Sequence, residues 1–260
     1  MIAPMIADHL ARFIASAVPG ARALGLVDEA IGIQARHRRQ AEAWAPHLTR
    51  TRDIITSHLE FADPAEPVVV LGAGLGLDLP LGALDAHPSG ALLIDAVRLP
   101  AMRKALKEYD NLGFELHDVT GLIRPYAKAR DGAAVEAPAL APVPVAGAGM
   151  IVSVNLLSQL ALPFIDSPPE SEEDKNTRRA LIAAHLDALK AADCPVLLIT
   201  DVMREEADAL GTRAYETVPA DLIADWPGAE VARWDWHLAP KGENRDGTTI
   251  TLQVGAWFRR

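Results

Sequence analysis

Apolar positions change period twice along the chain, and the changes divide it into three zones. From about Ala3 to Leu59 they recur at helical spacing, as in Ile6, Leu10, Phe13 and Ile14, and again in Trp44, Leu48, Ile55 and Leu59. Pro19 and Gly20, and then Pro46, punctuate this zone, so the pattern predicts about three helices. Between Pro67 and about Val202 short β-branched runs alternate with helical segments. The runs are VVVLG (Val68 to Gly72), ALLID (Ala91 to Asp95), FELHD (Phe114 to Asp118), MIVSVN (Met150 to Asn155) and PVLLITD (Pro195 to Asp201). Strands this apolar are buried on both faces, which predicts a parallel sheet with helices on each side. Two more strand-like runs, Glu230 to His237 and Thr248 to Phe258, flank the polar turn APKGENRDG and read as an antiparallel hairpin.

The pattern divides the chain into an N-terminal helical extension or cap (1–62) and an α/β domain (63–260). That domain holds an Ala/Pro/Gly-rich insertion at about 121–149. Its core, DGAAVEAPALAPVPVAGAG (Asp131 to Gly149), reads first as a PPII-like or mobile linker, with a substrate lid as the alternative. After it, Ser171 followed three residues later by Asp174, an acidic first turn, and Leu181, Ile182, His185 and Leu189 on one face predict a well-capped helix. His185 sits in that apolar stripe, so it reads as a partly buried structural histidine rather than a ligand.

Charge narrows the partners. A net charge of −10 and a pI near 5.2 disfavour polyanionic surfaces, both nucleic acid and anionic membrane. The local exception is a possible basic stripe of Arg36, Arg39, Arg50 and Arg52, suited to a phosphate-bearing ligand or RNA; its plain reading is a solvated face that pairs with the abundant carboxylates. A lone cysteine, Cys194, precludes an internal disulfide. The start carries an acidic residue and no cationic stretch before an apolar one, and no run reaches transmembrane length, so the expectation is a cytoplasmic protein with no membrane partner. No histidines or cysteines have metal-ligand spacing, and no serine sits in a nucleophile elbow; no metal is expected.

The stretch VVVLGAGLGLDLPL carries the clearest chemistry. Gly72, Gly74 and Gly76 directly follow a predicted strand, where glycine lets the backbone turn tightly and approach a ligand as a helix begins. A dinucleotide fingerprint wants G-x-G-x-x-G, and counting from Gly72 its last position falls on Leu77. Asp95 ends the next strand, at a suitable distance to accept hydrogen bonds from ribose hydroxyls.

In this order these features resemble the class I S-adenosylmethionine-dependent methyltransferases. VVVLGAGLG matches the family's first strand and G-x-G-x-G loop, LLIDAVRLPAMRKAL its acidic second strand end, and FELHDVT its third strand, with Asp118 placed like the family's adenine contact. The resemblance covers about Val68 to Arg260. It implies a Rossmann-like sheet of about seven strands, five parallel plus a C-terminal antiparallel hairpin, with S-adenosylmethionine held by Gly72, Ala73, Gly74, Gly76, Asp95, Ala96, Asp118, Val119 and Asn155. The N-terminal helices resemble the variable extensions such enzymes place over the active site. After the fourth strand this chain has SVNLLSQL, without the proline pair that marks amino-directed base methylation.

Methyl transfer asks chiefly for positioning and desolvation, with a general base only for a protonated nucleophile. Candidates at strand ends are Asn155, Ser158 and Gln159, then Asp201 and Arg204, and finally His237; Asp201 reads equally as a cap of a following helix, and His237 as a plain strand-end residue. The expected activity is methyl transfer to a small-molecule acceptor in preference to nucleic acid. Alternatives are an RNA methyltransferase using the Arg36 to Arg52 stripe, a non-catalytic cofactor-binding protein, and, weaker, a nicotinamide-dependent oxidoreductase.

Overall fold

The computed structural model describes residues 10–130, 145–165 and 171–260. Its centre is an eight-stranded sheet: β1 (Val68–Leu71), β2 (Ala91–Asp95), β3 (Leu112–Leu116), β4 (Met150–Val154), β5 (Val196–Asp208), β6 (Gly211–Glu216), β7 (Ala229–Ala239) and β8 (Thr249–Arg259). They lie in the order β3-β2-β1-β4-β5-β8-β7, with β6 paired to the outer half of β5. β3, β2, β1, β4 and β5 are parallel neighbours, and β8 runs antiparallel between β5 and β7. This is the Rossmann-like arrangement of five parallel strands and an antiparallel pair. Strand order reverses between β1 and β4, and in such sheets the crevice outside the carboxyl ends at that reversal receives the ligand.

The two-residue period of β1 sorts the core. Val68 and Val70 face one side with Leu84, Met102, Val152 and Ile55, while Val69 and Leu71 face the other with Ile151, Ile182, Leu186 and Leu198. Helices cover both faces: α1 (Leu26–His58), α2 (Leu81–Asp85), α3 (Pro100–Ala105), α4 (Ile123–Arg130), α5 (Glu172–Lys190) and α6 (Ala220–Ala224). α5 has the capping box expected of Ser171 and Asp174. His185 is fully buried on it, with Nε2 3.0 Å from Ser153 Oγ, and burial lowers its pKa to about 4.

Three expectations change. In place of three helices, a helical turn over 10–14 precedes one 33-residue helix, α1; the start of the first predicted helix lies outside the described residues. Pro46 lies within α1, and six residues before it Gln40 leaves helical dihedrals (φ −118°, ψ 26°), where its side chain donates to Glu243. Second, no helix follows Asp201. The strand runs on to Asp208 and turns back as β6, because Met203, Arg204, Glu205 and Glu206 are laddered on one side to β8 and on the other to β6. Cross-strand pairs reinforce this hairpin, with Tyr215 donating to Glu206 at 2.9 Å and Arg213 to Asp208 at 3.0 Å. Third, β6 therefore adds an eighth strand to the expected seven. Of the expected insertion, residues 131–144 lie outside the described residues, and residues 123–130 form α4.

The segment before α1 roofs the carboxyl end of the sheet. Ser16–Ala17 pairs antiparallel with Val97–Arg98 just after β2. Ala15, Ala21, Val27 and Ile31 form an apolar cluster with Val97, Leu99 and Ile123, against which Leu75 of the glycine loop packs. The second half of α1 enters the sheet core at Ile55, which is fully buried, and meets β7 through Trp44, whose Nε1 donates to the Leu238 carbonyl at 3.0 Å.

Candidate functional site

The three loop glycines do different work. All have positive φ (Gly72 84°, Gly74 48°, Gly76 68°), which glycine alone adopts at no steric cost. At Gly72 a Cβ would fall 2.6 Å from the Val154 carbonyl oxygen, so this glycine lets β1 and β4 close together. At Gly76 it would fall 2.8 Å from Met102 Cε. At Gly74 the nearest atom is 3.9 Å away, so here alone of the three the space beside the backbone is open. Ala73 is buried in the core, and its N–H joins that of Gly72 on the Ile94 carbonyl, which fixes the loop to β2.

Asp95, half-buried at the end of β2, accepts from the Gly74 N–H (2.8 Å) and the Val97 N–H (3.0 Å), one on each carboxylate oxygen. One lone-pair direction per oxygen remains for a ligand hydroxyl. Burial pushes this carboxyl upward, with the backbone amides of Val97, Gly74 and Ala96 drawing it back. The Ala96 carbonyl accepts from Val18 N–H, tying the roof to the strand end. Asp118 is more heavily committed. Its Oδ1 accepts from Thr120 N–H and Thr120 Oγ (3.0 and 2.6 Å), and its Oδ2 from Ile123 N–H (2.8 Å), so most of its capacity organises the turn into α4. Val119, beside it, is half-buried against the core.

Asn155 stands where β4 ends and is the one non-glycine of positive φ (47°) among the described residues. Such strain persists only where surrounding structure enforces it, and it clusters at functional sites. Its Nδ2 donates to Asp78 Oδ2 at 2.7 Å and lies 3.4 Å from His47 Nε2, while its Oδ1 is buried without a partner. Gln159 donates to its backbone carbonyl. His47 comes from α1, is 1% exposed, stacks on Trp236 at 3.9 Å with planes 3° apart, and receives the Trp234 indole N–H on Nδ1 at 3.1 Å. Burial lowers its pKa to about 3, so the ring is neutral. Asp78 is pushed upward by burial, against the pull of Asn155, its own backbone and Arg52.

Sequence reasoning missed Asp78 and His47. Asp78 was visible as an acid two residues beyond the last loop glycine, whereas His47, in the middle of a helix 108 residues before Asn155, carried no local signal. Asp201 and Ser158 are brought together, Ser158 Oγ donating to Oδ1 at 2.6 Å, with Asp201 5% exposed and its carboxyl raised by burial. Asp201 is a mid-strand residue beside the bulge of β5 opposite Gln253 and Val254, not a helix cap. Arg204 lies further out and pairs with Glu206 at 2.8 Å. His237 is on the exposed side of β7, 3.2 Å from Thr251 Oγ, and does not join the others.

The basic stripe is largely engaged within the chain. Arg39 and Gln40 donate to Glu243 at 2.5 and 2.8 Å, and Arg36 lies 3.5 Å from the same carboxylate, whose pKa these partners hold down to about 2. Arg50 lies over the Trp234 ring, 5.6 Å from its centre, and Arg52 donates to the Leu77 carbonyl. Among the described residues no group of His, Cys, Asp and Glu is placed to hold a metal ion, and no helix is long and apolar enough to cross a membrane.

No protein-family model matches the chain, and no curated protein does. Among solved structures it is similar to the 1,6-didemethyltoxoflavin-N1-methyltransferase of Burkholderia thailandensis with bound 1,6-didemethyltoxoflavin and S-adenosylhomocysteine, at 14% identity, covering 93% of this chain and 91% of that one with a TM-score of 0.45. It is also similar to a glycopeptide N-methyltransferase complexed with sinefungin (13% identical, 78% of this chain and 92% of that one, TM-score 0.37). A third is coclaurine N-methyltransferase bound to N-methylheliamine and S-adenosylhomocysteine (11% identical, 81% and 70%, TM-score 0.39).

Proposed function

We propose that the chain is an S-adenosylmethionine-dependent methyltransferase acting on a small-molecule acceptor by in-line methyl transfer. The observation that carries this reading is the charge of the cleft. Between Gly72 and Leu81 the loop has no lysine or arginine, and it presents one carboxyl, Asp78, close enough to Asp95 that its charge raises that second carboxyl. A dinucleotide would lay a pyrophosphate against these acids, a repulsive arrangement in a low-dielectric crevice. A sulfonium amino acid brings positive charge and N–H donors, which suit Asp78 and the orphaned Asn155 Oδ1.

S-adenosylmethionine supplies a methyl group activated on sulfur. The chain's part is to hold and desolvate. Gly74 leaves room for close approach, and Asp95, pre-oriented by the Gly74 and Val97 amides, offers acceptors to ribose hydroxyls. Asp118 retains one free direction on Oδ2 for an adenine N–H. The 15–31 segment, packed on Leu75, excludes water from above, which strengthens each polar contact below. His237 lies on the exposed side of β7, apart from the cleft residues. His47 is neutral and stacked, so transfer here relies on positioning of the nucleophile.

Parallel calorimetric titrations with S-adenosylmethionine and NADH test the reading. Binding of the first without the second is expected; tight NADH binding without S-adenosylmethionine binding overturns it. RNA that binds at low salt and is released steeply as salt rises would shift the acceptor to nucleic acid.

A further inference from the structure

The contacts of His47 fix where protons sit in the cleft. An indole N–H donates and has no lone pair to accept with, so Trp234 forces His47 Nδ1 to be the acceptor. The neutral ring then carries its proton on Nε2, and that N–H faces the carboxamide of Asn155. With the amide nitrogen turned toward His47 and Asp78, two donors confront one another at 3.4 Å and Oδ1 is left buried and unpartnered. The two ends of a carboxamide are nearly the same size, and a half-turn exchanges them. The oxygen then accepts from His47 Nε2–H, and its 2.7 Å approach to Asp78 Oδ2 is a hydrogen bond only when Asp78 is protonated.

We infer that Asp78 is the cleft's cation-binding carboxyl, and that His47 and Trp234 are positioning residues which, through Asn155, hold it protonated until a cationic ligand arrives. On ligand uptake the O–H bond of Asp78 breaks and its proton passes to solvent. The carboxylate then faces the ligand's positive group, and Asn155 turns its NH2 to Asp78 and its Oδ1 to a ligand N–H; the ligand's charge offsets the donor-to-donor contact with His47 that this turn restores. The charged groups around Asp78 act in both directions. Burial favours the protonated form, whereas Arg52 on α1 favours the ionised one, and the charge of Asp78 in turn raises Asp95. His47, facing Asn155, Trp234 and Trp236, stays neutral throughout.

This inference rests on the cofactor reading above, and its test separates the two. S-adenosylmethionine and S-adenosylhomocysteine are titrated into the full chain in phosphate and in Tris at one mildly acidic pH; the difference in observed heat between buffers counts protons released. Release of a substantial fraction of one proton is expected. If both ligands cause it, Asp78 meets the ammonium; if only the methylated one does, it meets the sulfonium. Trp234→Phe removes the indole donor and lets His47 place its proton on Nδ1, so Asn155 keeps its NH2 toward an already ionised Asp78. This variant is expected to bind without release. Asp78→Asn has no proton to lose, and its affinity should fall at least about tenfold, as for a lost charge-assisted hydrogen bond. Wild-type binding with no buffer dependence overturns this inference and leaves the cofactor reading standing, as does undiminished release in Trp234→Phe. Failure of either ligand to bind overturns both.

Discussion

Gly72 and Gly74 sit two residues apart with similar left-handed backbones, yet the structure assigns them opposite responses to substitution. A Cβ at Gly72 would meet the Val154 carbonyl oxygen at 2.6 Å, at the laddered end of β4, and Leu156 Cβ at 2.8 Å just beyond it. Gly72→Ala therefore adds overpacking of about 1–3 kcal/mol to a left-handed penalty of about 1–2 kcal/mol. At Gly74 a Cβ meets nothing closer than 3.9 Å, so Gly74→Ala incurs the conformational penalty alone, and Gly74→Val somewhat more because a β-branched residue tolerates positive φ poorly. For a chain of this size each kcal/mol shifts the melting temperature by about 2–4 °C. Gly74→Val should thus stay folded with a slightly lowered midpoint. Its side chain, however, fills the space beside the Asp95-bound amide, and S-adenosylmethionine affinity should fall at least about 100-fold, equivalent to about 2.7 kcal/mol. Differential scanning calorimetry and ligand titration on the two variants read both quantities. Unchanged affinity in Gly74→Val refutes the placement of the ligand; collapse of Gly74→Val alongside Gly72→Ala refutes the reasoning from space.

His185, with a pKa near 4 in the fold and about 6.5 in an unfolded chain, lends stability that is present above about pH 6.5 and lost as pH falls toward 4. The stability advantage of wild type over His185→Gln should therefore shrink by about 2 kcal/mol between about pH 7 and about pH 5 in urea titrations; a constant difference contradicts burial of a neutral ring. Glu243→Gln removes the charge that gathers Arg36, Arg39 and Gln40 at the kink of α1. Because Arg39 is half-exposed the cost should be at most about 1 kcal/mol, and it should vanish in acid as Glu243 titrates toward its pKa near 2. Asp118→Ala frees three donors of the turn into α4 and should cost about 1–2 kcal/mol in thermal stability; an unchanged midpoint would mean that this carboxylate is held for a ligand alone.

Legibility followed sequence distance. The apolar runs of β1, β2, β4 and the start of β5 were readable because burial on both faces leaves no polar alternation, and the α5 cap because Ser171 and Asp174 are three residues apart. Gly72 to Gly76 and Asp95 were readable because a strand-to-helix turn places them by local geometry. The extension of β5 was not, because Met203, Arg204, Glu205 and Glu206 are good helix formers overruled by ladders on both sides, one of them to β8, more than 40 residues away. Nor was the break of α1 at Gln40, where the side chain meets Glu243 from the far hairpin. His47 is the extreme case: its role exists only once α1, β4 and β7 converge on it.

That convergence bears on why the glycine loop is a poor guide by itself. Two of its three glycines have structural reasons of their own, Gly72 the close approach of β4 and Gly76 a left-handed backbone beside Met102, and would serve in a protein that bound nothing. What separates a ligand site from a tight turn is the set of polar atoms left incomplete around it: the spare lone pairs of Asp95, a carboxyl at Asp78 raised by burial, and the carboxamide of a strained Asn155, one end of which is buried without a partner. Burying such groups without compensation costs free energy, and a fold retains that cost where a ligand removes it. The two carboxyls ask for a hydrogen-bond donor or a positive charge, and neither for a phosphate. The chemistry of the ligand is thus written in what the cleft lacks, and it is that shortage, more than the glycine spacing, that points to a sulfonium cofactor in place of a dinucleotide.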